Sequence, residues 1–167
     1  MDPKENPLRK VRIYEQRDAR TLPWKKHDVD VAIDATGSFT TLEKITQHLD
    51  KIQFTNPKNE KEAIAKGEET GSGAKMVMLS APPKEEEQYD EKGNVIKDAK
   101  GDPIKKRFID QIHVYGVNHE DIDPAKKIFS AASCTTTCVS PIIKLFNDEF
   151  GVESGFVQTT HSATSSQ

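Results

Sequence analysis

The sequence is poor in cysteine, in apolar residues and in charge of a single sign. Of its 167 residues two are cysteine and 34% are hydrophobic, and the net charge is −3. The two cysteines fall four positions apart on one predicted helix, where we expect reduced thiols rather than a disulfide. No apolar run approaches the roughly 18 residues of a transmembrane helix. We therefore expect no membrane segment, and the charge gives no reason to expect binding to nucleic acid or to a membrane surface.

The first ten residues lack the apolar segment of a secretory signal, so we expect a cytoplasmic protein. The length allows one domain, or one domain and part of a second. Charged residues make up 31% of the chain, which indicates polar insertions that dilute an ordinary core. We expect no internal repeat.

The central feature is the stretch SAASCTTTC, residues 130–138. The residues before it predict a buried strand over 127–132, and apolar residues after it recur at helical spacing. Ser133 then occupies the N-cap, and Cys134 falls in the first helical turn, where the helix dipole favours a thiolate. The alternative is a buried structural cysteine, since free cysteine is among the most buried residue types.

A histidine further along the chain favours the reactive alternative. The segment GFVQTT, residues 155–160, reads as a strand that ends at His161. A cysteine and a histidine at the ends of neighbouring strands can pair as nucleophile and base.

The stretch ASCTTTC, followed by Pro141 and later by THSATSSQ, resembles the catalytic segment of phosphorylating glyceraldehyde-3-phosphate dehydrogenases. The family pattern is ASCTTNC, a helix, and a strand that ends in T-H-x-x-T-x-x-Q. Cys134 and His161 match the family's nucleophile and base, and their spacing of 27 positions also fits. Thr137 stands where the family has Asn, which leaves the fine alignment of the active site open.

The resemblance implies an oxidoreductase of glycolysis that oxidises an aldehyde phosphate through a thioester on Cys134. Hydride would pass to NAD, with NADP as an alternative, and inorganic phosphate would release the product. Ser133, Thr135 and Thr164 match positions around the two phosphates, although each hydroxyl could instead make an ordinary cap or turn bond. Full-length family members are homotetramers.

Four residues match the cofactor side of the family. They are Arg17, near the adenine end; Thr36 and Gly37, after the strand predicted over 29–35; and Ser80, at the end of the strand predicted over 74–82. From the residues alone, Arg17 could be a solvated charge and Gly37 a plain turn residue.

The remaining local patterns predict ordinary elements. Thr40 and Glu43 form an S/T-x-x-E capping box before a helix. Strands are also predicted over 11–14 and 112–119, and the two histidines in the second of these are interpreted as structural.

Two segments have no counterpart in common family members, about residues 51–73 and 84–107. We expect both to be mobile surface excursions, the first with a short exposed helix over 60–69 and a flexible end over 70–73. The second holds seven basic and seven acidic residues, and two turn signals in it predict a small exposed hairpin. A partner-binding arm is the alternative for this second insertion.

The resemblance covers about residues 11–50, 73–83 and 112–167. It implies an α/β chain: residues 1–132 as the C-terminal part of a Rossmann domain, doubly wound around a mainly parallel sheet, and residues 133–167 as the start of an α+β catalytic domain. The family's G-x-G-x-x-G-R turn has no match, so we expect an internal fragment that is inactive when isolated. An erythrose-4-phosphate dehydrogenase and a truncated binding module remain alternatives.

Overall fold

The computed structural model describes residues 12–163. In chain order its strands are β1 (Val31–Asp34), β2 (Met76–Leu79), β3 (Glu86–Glu87), β4 (Lys105–Lys106), β5 (Gln111–Ile112) and β6 (Ile128–Ser130). Its α-helices are α1 (Leu42–Ile45), α2 (Pro57–Lys66) and α3 (Cys134–Phe150). Among the described residues, no helix combines the length and the apolar character needed to cross a membrane.

Four strands form a parallel sheet in the order β1-β2-β6-β5. Ala32 pairs with Val77, and Val77 in turn pairs with Ile128, so the buried positions of three strands stand in line. The buried side chains on this face of the sheet pack against α1 and the 3-10 turn that follows it. The cluster consists of Leu42, Ile45, Leu49, Val77, Leu79 and Ile128. The architecture is the mixed α/β fold predicted from the sequence, with the sheet of a partial Rossmann domain.

The predicted capping box at Thr40 and Glu43 is wrong. The N-cap of α1 is Thr41, whose side chain makes no capping bond, because the helix begins one residue later than the pattern requires. The first amide of the helix, that of Leu42, instead donates to a carboxylate oxygen of Glu86 in the second insertion. A contact across 44 positions thus replaces the local one.

The first insertion is packed rather than loose. Its helix α2 begins earlier than predicted, with Asn56 as N-cap accepting from the amide of Lys58, and ends at Gly67. The predicted flexible end is wrong as well. The Ser72 amide and hydroxyl both donate to the carbonyl of Gln47, and a Cβ at Gly71 would collide with the carbonyl oxygen of Leu49.

The second insertion forms the predicted small hairpin, β3 paired antiparallel with β4, but with a further internal order. The segments DEKGNVIK (90–97) and DAKGDPIK (98–105) repeat the same eight-residue pattern, which contradicts the expectation of no repeat. Each leading aspartate, Asp90 and Asp98, accepts backbone amides two and four residues ahead of it. The first turn rests on the first insertion, since a Cβ at Gly93 would meet the Lys58 side chain.

Three predicted strands are absent or shortened in the described chain. Residues 12–14 and 155–160 carry no strand, and the predicted strand over 112–119 is reduced to β5 and a turn. Alternating apolar residues favour a strand only where a neighbouring strand completes its hydrogen bonds. Instead, Arg12 and Tyr14 contact the ring of His27, and Asn118 accepts the Val114 amide through its side chain.

Candidate active site

A strained elbow between β6 and α3 presents Cys134. Ala132, between the two elements, adopts φ +67°, a left-handed conformation that costs a non-glycine residue of order 1 kcal/mol. The buried Ser130 supports it, because its hydroxyl accepts the Ala132 amide and donates to the carbonyl of Ala81. Ser133 then caps α3 by accepting the Thr136 amide at 3.1 Å, as predicted. Cys134 is therefore the first residue of a 17-residue helix.

The thiol of Cys134 lies 3.3 Å from Nε2 of His161. Nδ1 of the same ring donates to the carbonyl of Ser162 at 2.6 Å, which leaves Nε2 to exchange a proton with the sulfur. This hydrogen bond with His161, followed by the one with Thr135, lowers the pKa of Cys134. The bond to Ser162 and then the one to Cys134 raise the pKa of His161. The pair is thus biased toward thiolate and imidazolium.

Cys134 also lies where two open cavities meet. One, of about 420 Å³, runs between α3 and the segment before His161. The other, of about 490 Å³, lies on the sheet side and is lined by Ser80, His113, Ala131 and Ser133 among others. A thiol shared by two cavities can be approached from both sides by different groups.

The other hydroxyls of this region are placed as follows. Thr135 Oγ1 lies 4.0 Å from the Cys134 sulfur. Ser133 Oγ is 2.8 Å from Thr136 Oγ1, within the same cap. Thr137, at the position of the family's Asn, donates to the carbonyl of Ala131. Thr164 lies outside the described residues.

The turn after β1 is the second place to which the sequence assigned function. Thr36 and Gly37 follow the C-terminal end of β1, beside the end of β2 where Ser80 lies, and the Ser80 amide donates to the carbonyl of Asp34. Gly37 adopts φ +70° with open space around it, so its requirement for glycine comes from the backbone and not from close packing. The turn therefore stands at the carboxyl edge of the sheet, where parallel α/β folds bind ligands.

The structure adds to the sequence assignments of Arg17 and His113. Arg17 is exposed in an irregular segment and lines neither cavity beside Cys134. His113, interpreted as structural, does bond to the carbonyl of Asn118 and to Gln111, yet it also lines the larger cavity. No sequence pattern indicated this second placement, because it depends on the turn that follows β5.

Sequence reasoning also missed a buried polar pair beneath the Thr36 turn. Asp34 and His48 are 5% and 7% exposed, with 3.2 Å between His48 Nε2 and Asp34 Oδ2. The sequence showed only an acidic residue inside an apolar strand. Within residues 12–163, no group of three His, Cys, Asp or Glu side chains is placed to hold a metal ion.

The chain is similar to known proteins, both in a family model and in individual sequences. Residues 133–167 match the family model for the C-terminal domain of glyceraldehyde 3-phosphate dehydrogenase. The glyceraldehyde-3-phosphate dehydrogenase of Chlamydia trachomatis is 36% identical over 159 residues, which are 95% of this chain and 34% of that protein. Glyceraldehyde-3-phosphate dehydrogenase 1 of Saccharomyces cerevisiae is 33% identical over 158 residues, again 95% and 34%.

A third relative matches to a similar extent. The glyceraldehyde-3-phosphate dehydrogenase of Haloarcula vallismortis is 36% identical over 155 residues, 93% of this chain and 33% of that protein. The chain spans about a third of the length of the curated relatives it matches. The resemblance carried by the cysteine motif is thereby confirmed: along nearly its whole length, the chain is related to the glyceraldehyde-3-phosphate dehydrogenase family.

Proposed function

We propose that the protein to which this chain belongs oxidises an aldehyde phosphate, glyceraldehyde 3-phosphate, in a reaction that depends on a nicotinamide cofactor and inorganic phosphate. The observation that carries the proposal is the contact of 3.3 Å between the Cys134 sulfur and His161 Nε2. A cysteine at a helix start, hydrogen-bonded to a histidine, is an activated nucleophile. The names of its relatives supply the substrate.

In the first half of the reaction His161 takes the thiol proton and the Cys134 sulfur bonds to the aldehyde carbon, whose oxygen becomes an alkoxide. The imidazolium holds this oxyanion. When bound, the nicotinamide cofactor supplies the acceptor for the hydride of that carbon. Loss of the hydride turns the alkoxide back into a carbonyl and leaves a thioester on Cys134.

In the second half an oxygen of inorganic phosphate bonds to the thioester carbon and the carbon–sulfur bond breaks. The product leaves as an acyl phosphate, and the electron pair of the broken bond returns to Cys134 as thiolate. His161, still protonated, stabilises that thiolate. The amides of the first turn of α3 and the hydroxyls of Ser133 and Thr135 suit the phosphate oxygens, and we extend this role to Thr164.

The described residues fit a nicotinamide cofactor on the sheet side of Cys134. The cavity of about 490 Å³ joins Ser80 to Cys134, and the turn of Thr36 and Gly37 stands at the same carboxyl edge of the sheet. We propose that these residues hold the cofactor, with Arg17 at its adenine end, and that NAD rather than NADP is used. The other cavity, which contains His161, is left for the aldehyde.

We further propose the domain division at residue 133, with the cofactor domain before it and the catalytic domain after it. The family-model match, which begins at residue 133, supports this. Cytoplasmic location is supported by the two free, exposed cysteines. A homotetramer is the assembly that the resemblance implies.

The test compares glyceraldehyde 3-phosphate with erythrose 4-phosphate, each with NAD and phosphate, in the longest protein that contains this chain. We expect NAD reduction with glyceraldehyde 3-phosphate, its loss in Cys134→Ser, and an acyl adduct on Cys134 when phosphate is omitted. The isolated 167-residue chain should show no turnover. Faster turnover of erythrose 4-phosphate would replace the substrate, and full activity in Cys134→Ser would refute the mechanism.

A further inference from the structure

A continuous chain of hydrogen bonds runs from a tryptophan to the turn after β1. Trp24 Nε1 donates to His48 Nδ1 at 3.3 Å, and His48 Nε2 lies 3.2 Å from Asp34 Oδ2. The other carboxylate oxygen, Asp34 Oδ1, accepts both the amide and the hydroxyl of Thr36, at 3.0 and 2.9 Å. The Thr36 hydroxyl in turn accepts the amide of Ser38 at 3.1 Å.

The donors in this series of hydrogen bonds determine which ring nitrogen of His48 carries the proton. Indole nitrogen is a donor only, so Nδ1 of His48 must accept and carries no proton in this arrangement. The proton of the neutral ring is then on Nε2, from which it is donated to Asp34. The ring is also held from the side by Phe39, whose centroid lies 5.2 Å away.

The hydrogen bonds of the Thr36 hydroxyl can be assigned in the same way. Its hydroxyl hydrogen points to Asp34, and its oxygen accepts the Ser38 amide. The side chain is thus committed to the turn itself, although Thr36 and Ser38 are exposed at the sheet edge. Beneath them lies a fully bonded buried pair, and such pairs fix one conformation because any other leaves buried polar groups unpaired.

We propose that His48 and Asp34 are positioning residues for the turn Thr36–Ser38, and that Trp24 selects the tautomer of the His48 ring. His48 fixes the Asp34 carboxylate, and the carboxylate fixes the turn. The consequence for cofactor affinity rests on the proposed function above. His48 and Asp34 act through the turn and need no contact with the cofactor.

Two substitutions each remove one of the two hydrogen bonds of His48 and keep the other. In His48→Gln the side-chain nitrogen stands near the place of Nε2 and still donates to Asp34, but the acceptor for Trp24 is lost. In His48→Asn the amide oxygen stands near the place of Nδ1 and still accepts from Trp24, but Asp34 loses its donor. The two variants have similar polarity, so each is the matched control of the other.

The first readout is amide hydrogen exchange at Thr36 and Ser38 in the 167-residue chain, with Ala131 as the reference amide because it donates to Leu79 within the sheet. We expect exchange at both turn amides to be about fivefold faster in His48→Asn, the factor that corresponds to one lost hydrogen bond. In His48→Gln it should stay near the wild-type rate. Equal rates in all three proteins, relative to Ala131, would overturn the proposal.

A second readout needs no variant. Nitrogen NMR of the wild-type imidazole ring should show the His48 proton on Nε2 and a bare Nδ1. A proton on Nδ1 would contradict the chain of donors and overturn the proposal even if a variant failed to fold.

The third readout is calorimetric titration with ADP-ribose of the longest protein that contains this chain, the same protein as in the activity test. Weaker binding by His48→Asn than by His48→Gln links the turn to the cofactor, and equal binding by the two overturns the consequence for affinity. If wild type binds no ADP-ribose, the proposed cofactor role fails, while exchange and NMR still decide whether His48 positions the turn.

Discussion

Replacing His161 by glutamine should slow the alkylation of Cys134. The hydrogen bond to His161 is the largest cause that lowers the pKa of Cys134, and its loss moves the pKa back up toward that of an ordinary thiol. The His161 pKa is raised, so the imidazolium persists to higher pH. The reactive ion pair therefore exists at pH values above the pKa of Cys134 and below that of His161.

The difference in alkylation rate between wild type and His161→Gln has an upper limit. An ordinary thiol with a pKa of about 8.5 is roughly 3% thiolate at pH 7, so full ionisation raises the alkylation rate at most about thirtyfold. A more acidic thiolate is also a weaker nucleophile, with a Brønsted coefficient of about 0.4–0.5, which removes part of the gain. We expect the wild-type rate at pH 7 to exceed that of His161→Gln by about threefold to thirtyfold.

The assay is timed reaction with iodoacetamide followed by peptide mapping. Cys138 lies one turn further along α3 and is exposed, which makes it an internal reference for access to the helix. Cys134→Ser identifies the signal that belongs to the first cysteine. Rates measured from pH 5 to 9 should reach their plateau at lower pH in wild type than in His161→Gln.

Two results would refute this reasoning. Equal rates and equal pH profiles for wild type and His161→Gln would show that the contact of 3.3 Å does not ionise the thiol. Preferential modification of Cys138 in wild type would show that the start of the helix is not the reactive position.

Four further outcomes are expected. Gly71→Ala should lower the free energy of unfolding by about 3 kcal/mol in chemical denaturation, the upper end of overpacking costs, because its Cβ meets backbone carbonyls. Gly67→Ala, with open space at φ +69°, should lower it by only about 1 kcal/mol, and equal losses would contradict the packing argument. Ser133→Ala should lower the free energy of unfolding by about 1 kcal/mol, because the capping bond at the start of α3 is lost, whereas Ser133→Thr should retain most of the capping contribution. Burial raises the pKa of Glu86 in the folded protein, so the free energy of unfolding should fall as pH rises from the pKa of Glu86 in the unfolded chain through its pKa in the folded protein. Glu86→Gln should make this fall smaller, and an unchanged slope would contradict the prediction. A protease of broad specificity, such as proteinase K, should cut within 152–160, which is exposed and carries no helix or strand, before it cuts within 57–73. The reverse order would show that the first insertion is mobile after all.

The parts of the fold predicted correctly are those with local causes. Ser133 caps α3 because a serine before a helical pattern finds an amide three residues ahead, and β2 and β6 form because their apolar runs are buried. The cap of α1 was missed because its partner, Glu86, is distant in sequence. Residues 155–160 read as a strand in the sequence, but no neighbouring strand lies beside them in the described chain.

In the candidate site, too, the features with a local motif were predicted and those with distant partners were not. Cys134 and His161 carry a specific motif, and the structure brings them together although the predicted strand before His161 does not form. His48 carries no motif, and only the packing of the 3-10 turn against β1 reveals its contact with Asp34. Buried polar partners far apart in sequence leave no periodic signal from which they could be predicted.

The eight-residue repeat of the second insertion has a consequence for how this segment can change in evolution. Gln88, Ile96 and Ile104 lie eight positions apart and are joined in a ring: the amide of Gln88 donates to Ile104, that of Ile96 to Gln88, and that of Ile104 to Ile96. Each unit brings its own aspartate-anchored turn and ends where the next begins. A duplication or deletion of eight residues would therefore add or remove one whole turn together with its aspartate, whereas a change of any other length would leave an incomplete unit.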